Sequence, residues 1–345
     1  MTTGEHGSPP PTQEELAALV PGDRIRRRPR PYIGDSVNVP LSHLDPADAA
    51  VVRALYEFLG GLLGLVGPRV GGGAAGVQAV QGFLRATGFA ELAQRIDRLG
   101  AALLSDDTPI DLRKVYHDVR GGGLPALLMH LDMVTEGEAT PDDLERIFVL
   151  TRDQLKIIRN AIPDLDPEGY AHDLEPRQHG TDLLLAKWQT EHYRVEDTEV
   201  ELDLRCDFQG SVSERCMEFA ALDRVIYNLV NNAARFADDG HVGLNVFAID
   251  GQRDTDLRFV VMNRVAPEHR ERLAADLGEE LSSVFAGGYT TGGHGLGLRI
   301  CGDFVVHGYG LPSLHTALDD GYLGAKLVRD TFVAWFHWPA RRSAA

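Results

Sequence analysis

The sequence predicts a multidomain protein of α and α+β class: an N-terminal helical region, a helical hairpin, and a C-terminal α/β sandwich. Three observations lead to this prediction. Apolar residues recur at helical spacing between residues 45 and 163, strands and helices alternate after residue 180, and a glycine-rich run leads into an apolar helix near residue 297. The length of 345 residues leaves material for more than one hydrophobic core.

Composition excludes several classes of function. The formal charge of −17 argues against nucleic acid as a partner, because a polyanion would be repelled. No stretch has the length and composition that we expect of a membrane-spanning helix, and the polar N-terminus lacks a signal pattern. Cys206, Cys216 and Cys301 lie far apart and are expected to be buried, inert thiols. We therefore expect a cytoplasmic protein without membrane insertion.

The first hundred residues predict a tail followed by helices. Residues 1–44 are expected to be disordered and partly basic, since they are polar and contain proline and an arginine-rich run. Residues 45–104 are expected to form a helical input region that starts at the capping pair Asp45-Pro46. No pattern in this region indicates a haem, flavin or metal site.

Residues 105–163 predict two antiparallel helices, each with a wide apolar stripe, joined by the turn at 135–140. Two helices cannot bury such stripes by themselves, so we expect a four-helix bundle made by two chains, which means a homodimer. Residues 164–179 are expected to be a linker.

The remaining segment, 180–340, predicts an α/β sandwich with helices on one face of a mixed sheet. Its predicted elements are strands at 200–208, 242–249, 257–262 and 331–338 and helices at 219–237 and 296–306.

A polar helix face is the first candidate site in this segment. Asn228, Asn232 and Arg235 are spaced four and three residues apart and therefore share one face. Amide oxygens are hard ligands that suit magnesium, and a guanidinium pairs with phosphate. An asparagine-rich face by itself is more often only solvated.

The second candidate is the run VFAGGYTTGGHGLGLRIC at 284–301. Its glycines allow a close backbone approach, and the helix that follows offers a positive N-terminus to an anion.

These two motifs, in this order, resemble the GHKL (Bergerat) ATPase superfamily, and within it the catalytic domain of two-component sensor histidine kinases. The resemblance covers roughly 180–339 and implies that ATP and Mg²⁺ are bound. NLVNNA (228–233) resembles the N box, which implies that Asn232 holds the metal and that Asn228 and Arg235 face the nucleotide. TGGHGLGL (291–298) resembles the glycine box beside the ATP lid. The nucleotide contacts implied there are Thr290, Thr291, Gly293, Gly295, Leu296, Gly297 and Leu298.

One position departs from the family. The aspartate that recognises the adenine amino group is expected after the strand at 257–262, where this chain has Asn263 followed by Arg264 and Val265. An asparagine can accept the same hydrogen bond, but it carries no charge. Neither glycine of the family's box is present, so weakened ATP binding is one expectation.

The segment VYHDVRGGGLPALLMHLDM (115–133) resembles the phospho-acceptor box of the same kinases. It implies His117 as the nucleophile, with Asp118 accepting the second ring proton. Gly121 stands where the family has a residue associated with phosphatase activity, which puts that activity in doubt.

The sequence thus predicts a soluble sensor histidine kinase that phosphorylates its own histidine from Mg-ATP and passes the phosphoryl group to an aspartate of a response-regulator receiver domain. Two alternatives remain open. One is a catalytically degenerate, kinase-like phosphotransfer or scaffold protein, which the loss of the aspartate and glycines favours. The other is a protein-serine kinase of the anti-sigma type, which would not need the hairpin.

Overall fold

The structure is a computed structural model that describes residues 9–20, 25, 38–70, 72–100, 108–121, 123–141, 143–189, 192–195, 198–250, 255–278, 281–286 and 297–342. The chain divides into two compact units. The helical unit is Asp35–Glu175, and the sheet unit combines Met1–Gly34 with Pro176–Ala345. In chain order the helical unit is therefore an insertion between two parts of the sheet unit.

The helical unit is built from antiparallel and crossing helices. They are α2 (Pro46–Val66), α3 (Gly73–Thr87), α4 (Phe89–Asp97), α5 (Ile110–Arg120), α6 (Leu124–Glu136), α7 (Asp143–Ala161) and α8 (Pro167–Leu174). The predicted start of α2 is confirmed, since the Asp45 carboxylate accepts a hydrogen bond of 2.8 Å from the Ala47 N–H and Pro46 lies in the first turn.

The apolar stripes of the hairpin are covered within one chain. Helix α2 packs along α7, and α3 packs on α6. The stripe residues that this packing buries completely include Leu127, Leu131, Val134, Ile147 and Ile158. The argument that a second chain is needed to cover these stripes was wrong, because the expected input region supplies the cover. Regions 45–104 and 105–163 accordingly share one core.

The first helix of the hairpin is not continuous. The pattern at 112–134 predicted one helix, whereas the structure ends α5 at Arg120 and starts α6 at Leu124. Glycine is a weak helix former, and the break falls on the triplet that begins at Gly121. The last carbonyls of a helix lack partners within the helix. At the end of α5, Gln154 supplies one such partner, because its Nε2 donates to the Val119 carbonyl over 2.9 Å.

The expected linker at 164–179 is structured instead. After a 3₁₀ turn at Pro163–Leu165, Asp166 caps α8 by accepting from the Gly169 N–H at 2.9 Å. The next residues, Pro176–Gly180, form a strand of the sheet unit. The sequence passage DPEG contains the same capping signal as the start of α2, and its significance was missed.

One described helix, Pro46–Arg69, is long and apolar enough to cross a membrane by length and composition, and 39% of its apolar window is buried inside the protein. The expectation that no stretch has such a length and composition was therefore wrong. The same helix supplies core residues of the helical unit, so the finding is weak evidence for a membrane segment.

The sheet unit contains eight strands among the described residues. They are β1 (Pro176–Gly180), β2 (His192–Val195), β3 (Thr198–Cys206), β4 (Gly210–Arg215), β5 (His241–Asp250), β6 (Thr255–Arg264), β7 (Leu323–Val328) and β8 (Thr331–Arg342). Their order is β1-β4-β8-β6-β5-β3-β2, with β7 also paired to β8, and the β3–β5 pair is parallel. The predicted mixed sheet and its four predicted strands are confirmed.

Both faces of the central strands are covered. The helices of this unit are α9 (Thr181–Trp188), α10 (Cys216–Arg235), α11 (Pro267–Leu277), α12 (Gly297–Tyr309) and α13 (Leu314–Asp319), and α10 and α12 pack together on one face. On the other face lies α1 (Gln13–Ala17), whose Leu16 packs with Val260, Val333 and Trp335. The expectation of disorder was therefore wrong for residues 9–20, because Leu16 and Val20 of this segment are buried against an apolar sheet face. The basic run at 26–30 lies outside the described residues.

Candidate functional site

Helix α10 presents its two faces as the sequence predicted. Leu222, Val225, Ile226 and Leu229 are buried on the sheet side. Asn228 and Asn232 are half-buried on the opposite side, and Arg235 is exposed one turn further on. Amides and a guanidinium thus lie along one edge of the helix layer.

The three asparagines of α10 have different surroundings. Asn231 accepts a hydrogen bond of 2.6 Å from the Tyr193 hydroxyl and so fixes β2 to the helix. The Asn228 Nδ2 donates to the Gly297 carbonyl over 3.3 Å. Among the described residues, none hydrogen-bonds the Asn232 side chain. In the part of the chain that the structure describes, the amide oxygens of Asn228 and Asn232 both remain as acceptors, while the amide N–H of Asn228 also ties α10 to Gly297.

The bond from Asn228 places the beginning of α12 beside α10. Gly297 is the first residue of α12, and Leu298 follows it half-buried. The Cys301 thiol points at the Val225 carbonyl at 3.7 Å, and burial raises its pKa to about 12, so this cysteine is an inert packing group. Five further predicted contacts lie outside the described residues: Thr290, Thr291, Gly293, Gly295 and Leu296.

Asn263 lies at the end of β6 on the face that carries α10 and α12. Side chains alternate along a strand, and Arg258, Val260 and Met262 face α1, so Asn263 faces the helices. It is 3% exposed, and its Nδ2 donates to the Arg264 carbonyl over 3.1 Å. This bond uses the amide N–H and leaves Oδ1 as an acceptor.

The chain after Asn263 is fixed by Asp330. The Val265 N–H donates to the Asp330 carbonyl over 2.9 Å, and Arg264 Nε lies 3.2 Å from the Asp330 carboxylate. Helix α11 then starts at once, with Pro267 in its first turn. The family that the motifs resemble has glycines at these positions. In this chain the end of β6 is hydrogen-bonded to Asp330, and a helix follows directly. Asp330 was not identified from the sequence, because its contact spans 65 residues.

The predicted acceptor His117 lies on the last turns of α5. Its side chain is 22% exposed, while its Nδ1 is buried 3.6 Å from the Asp118 carboxylate. That distance is too long for a direct hydrogen bond. The Asp118 carboxylate is therefore a nearby negative charge and does not accept the ring proton directly as expected. The exposed part of the ring therefore does not include Nδ1.

The candidate residues divide between the two units. Asn228, Asn232, Arg235, Asn263, Gly297 and Leu298 belong to the sheet unit, whereas His117 and Asp118 belong to the helical unit. Within the described residues, no group of three or more His, Cys, Asp and Glu side chains has the geometry of a metal site.

Comparison with known families gives one match. Residues 218–334, roughly a third of the chain, match the family model described as "Histidine kinase-, DNA gyrase B-, and HSP90-like ATPase". No curated protein sequence matches the chain closely enough to count as a relative.

Several solved structures are similar over parts of the chain. They include a mycobacterial sensor histidine kinase, MprB, with 16% identity over 49% of this chain and 100% of that one, at a TM-score of 0.32. Another is the Acinetobacter baumannii histidine kinase AdeS, with 14% identity over 66% of this chain and 98% of that one, at a TM-score of 0.26. A full-length ShkA in complex with AMPPNP is 17% identical over 73% of this chain and 47% of that one, at a TM-score of 0.31.

Proposed function

We propose that this chain, whose residues 218–334 are a histidine kinase-, DNA gyrase B- and HSP90-like ATPase domain, binds Mg-ATP and phosphorylates its own His117. The observation that carries the nucleotide part is the placement of Asn232 and Asn263 on the helix-covered side of one sheet, with Asn228 tied to the start of α12. These residues lie on separate elements of the sheet unit, and the proposal is that they serve one nucleotide.

The chain's own residues have distinct tasks in this proposal. Asn263 Oδ1 accepts a hydrogen bond from the adenine amino group, and Asn232 and Arg235 face the phosphates. Asn232 would hold a magnesium ion through its amide oxygen, and the ion would supply neutralisation of the phosphate charge. The N-terminus of α12 adds the positive end of a helix.

In the transfer step, a bond forms between an imidazole nitrogen of His117 and the γ-phosphorus. The bond from that phosphorus to the bridging oxygen breaks, and ADP leaves. Nε2 is the nucleophile we assign, because Nδ1 is buried and Asp118 beside it favours the positive charge that develops on the ring. Most of the rate comes from positioning and charge neutralisation.

The later transfer, from His117 to an aspartate of a response-regulator receiver domain, is part of the proposal through the family resemblance. The homodimer rests on the same resemblance, since the apolar stripes no longer argue for it. A cytoplasmic location without membrane insertion stays a prediction from the sequence.

One alternative gains an observation from the structure. The degenerate-scaffold function is favoured by the hydrogen bond from Asn263 to Arg264 and by the immediate start of α11, since both fix a segment that the family leaves free.

The deciding experiment gives the full chain radiolabelled ATP and magnesium, then tests the label for stability in acid and base. We expect acid-labile, base-stable phosphate in wild type and none in His117→Gln. In calorimetry, His117→Gln should bind ATP with the same affinity as wild type. His172→Gln is the matched control, because His172 is an exposed histidine in the same unit.

Each alternative has its own outcome. Label on His117→Gln that is still acid-labile would remove His117 as the acceptor. Acid-stable label would favour the serine-kinase alternative, and no ATP binding by wild type would favour the scaffold.

A further inference from the structure

The N-terminal segment is an integral part of the sheet unit. Beyond the apolar contacts of Leu16 and Val20, it supplies the hydrogen-bond acceptors of a buried cation. Arg258 is 1% exposed, and its two terminal nitrogens donate to the carbonyls of Ala17 and Val20. A buried guanidinium needs such partners, so the segment is anchored firmly on the sheet.

A second anchor joins this segment to the turn between β7 and β8. Among the described non-glycine residues, Arg329 alone has a positive φ, of 62°. Its guanidinium lies 2.5 Å from a carboxylate oxygen of Glu15 and 3.4 Å from the Pro9 carbonyl. Glu15 is itself fixed, since it accepts from the Thr12 N–H at 2.8 Å in a capping box. A glycine would adopt this turn without strain, which points to a role for the arginine side chain.

The same turn holds the strand end that carries Asn263. The residue after Arg329 is Asp330, which binds both Arg264 and Val265. In the β6–β8 register, Asn263 lies opposite Phe332 and Arg264 opposite Thr331, directly beside the turn. A continuous set of contacts thus runs from Glu15 through the turn to the residues that follow Asn263.

We propose that α1 is a positioning element of the nucleotide site: through Arg329 and Asp330 it holds the end of β6 in the geometry that Asn263 needs to bind adenine. This rests on the proposed function, in which Asn263 contacts the base. Asp330 and Arg329 touch no nucleotide in this account, so they are positioning residues.

The test measures ATP affinity and thermal stability of the full chain together. Arg329→Gly removes the contact with Glu15 while relieving the strained backbone. We expect ATP to bind roughly three- to tenfold more weakly, with a melting temperature equal to or above that of wild type. A residue with a merely structural role would lose affinity only together with stability.

Two further variants sharpen the test. Glu15→Gln keeps the capping box, which glutamine also makes, and weakens the contact with Arg329; we expect about a twofold loss of ATP affinity. Gln13→Ala is the control, because Gln13 Nε2 donates to Asn245 Oδ1 on β5 over 2.7 Å, and among the described residues Gln13 makes no hydrogen bond to the turn. It should bind ATP as wild type does.

Deuterium exchange at the Val265 amide gives a readout that needs no nucleotide. It should be faster in Arg329→Gly and Glu15→Gln and unchanged in Gln13→Ala. The inference is overturned if wild type binds ATP and Arg329→Gly and Glu15→Gln bind it with the same affinity as wild type. It is also overturned if the ATP affinity and the melting temperature of these variants fall together. Wild type that binds no ATP would refute the proposed function, and this inference with it.

Discussion

Acidification should destabilise the sheet unit through one buried histidine. His337 is fully buried on the α1 face of β8, and its Nε2 accepts a 3.0 Å hydrogen bond from Arg258 Nε. Its Nδ1 lies 3.2 Å from the Tyr322 carbonyl and therefore carries the proton. One ring nitrogen accepts a hydrogen bond and the other donates one, which is the pattern of a neutral imidazole. Burial, and then the charge of Arg258, lower the pKa of His337 to about 3.

The sign follows from proton binding. In the unfolded chain the same histidine titrates near pH 6.5, so below that pH the unfolded state binds a proton that the folded state rejects. Stability is therefore complete above pH 6.5 and is lost as the pH falls towards 3. For a folded pKa of about 3, the loss is on the order of 1 kcal/mol at pH 5.5 and of 3 kcal/mol at pH 4.5.

The variant His337→Gln should remove this dependence, because a glutamine can accept from Arg258 and donate to Tyr322 but does not titrate. The assay is urea unfolding between pH 7.5 and 4.5, followed by tryptophan fluorescence. All three tryptophans belong to the sheet unit, so the signal reports that unit: Trp188, Trp335 and Trp338.

Between pH 7.5 and 4.5, His337→Gln should lose about 3 kcal/mol less unfolding free energy than wild type. Burial also lowers the pKa of His269, but that residue is common to both proteins and cancels. His315→Gln, at a ring that is 86% exposed, should follow wild type. Parallel pH curves for wild type and His337→Gln would refute the assignment of a buried, neutral His337.

Three further predictions concern the nucleotide site and the helical core. Asn232→Ala should weaken Mg-ATP binding roughly tenfold in calorimetry with little change in melting temperature, because the residue faces away from the sheet; a large fall in melting temperature would contradict this. Asn263→Asp should preserve or strengthen ATP binding but lower the melting temperature slightly, since a carboxylate cannot donate to Arg264; no ATP binding in either form would favour the scaffold. Leu62→Ala, at a fully buried position of α2, should cost about 2–5 kcal/mol by circular dichroism, with a midpoint independent of protein concentration. A midpoint that rises with concentration would show that a second chain covers the core.

The sequence alone determined the local elements and the order of the motifs. Alternation of apolar and polar residues predicted β3, the segments at 242–249, 257–262 and 331–338 predicted β5, β6 and β8, and helical spacing predicted α10 and α12, because residues three and four apart share one face of a helix. The asparagines of α10 could be placed on one face for the same reason. The family match at 218–334 agrees with the two motifs that indicated an ATPase domain.

Only the tertiary structure decided what covers each apolar face. The stripes at 112–134 and 144–162 require a cover, but their pattern does not distinguish a second chain from α2 and α3 of the same chain. The segment at 12–20 is too short to form a stable helix by itself, and it becomes ordered because the sheet buries Leu16 and Val20.

The same limit applies to the surroundings of the site. Asp330 holds the residues after Asn263, and Arg258 is bound by carbonyls more than two hundred residues earlier in the chain. Such contacts leave no periodic signal in a sequence, because they depend on strand register and on which elements the fold brings together. The residue types at the nucleotide site could be identified from the sequence, whereas the contacts that fix their positions are set by the fold.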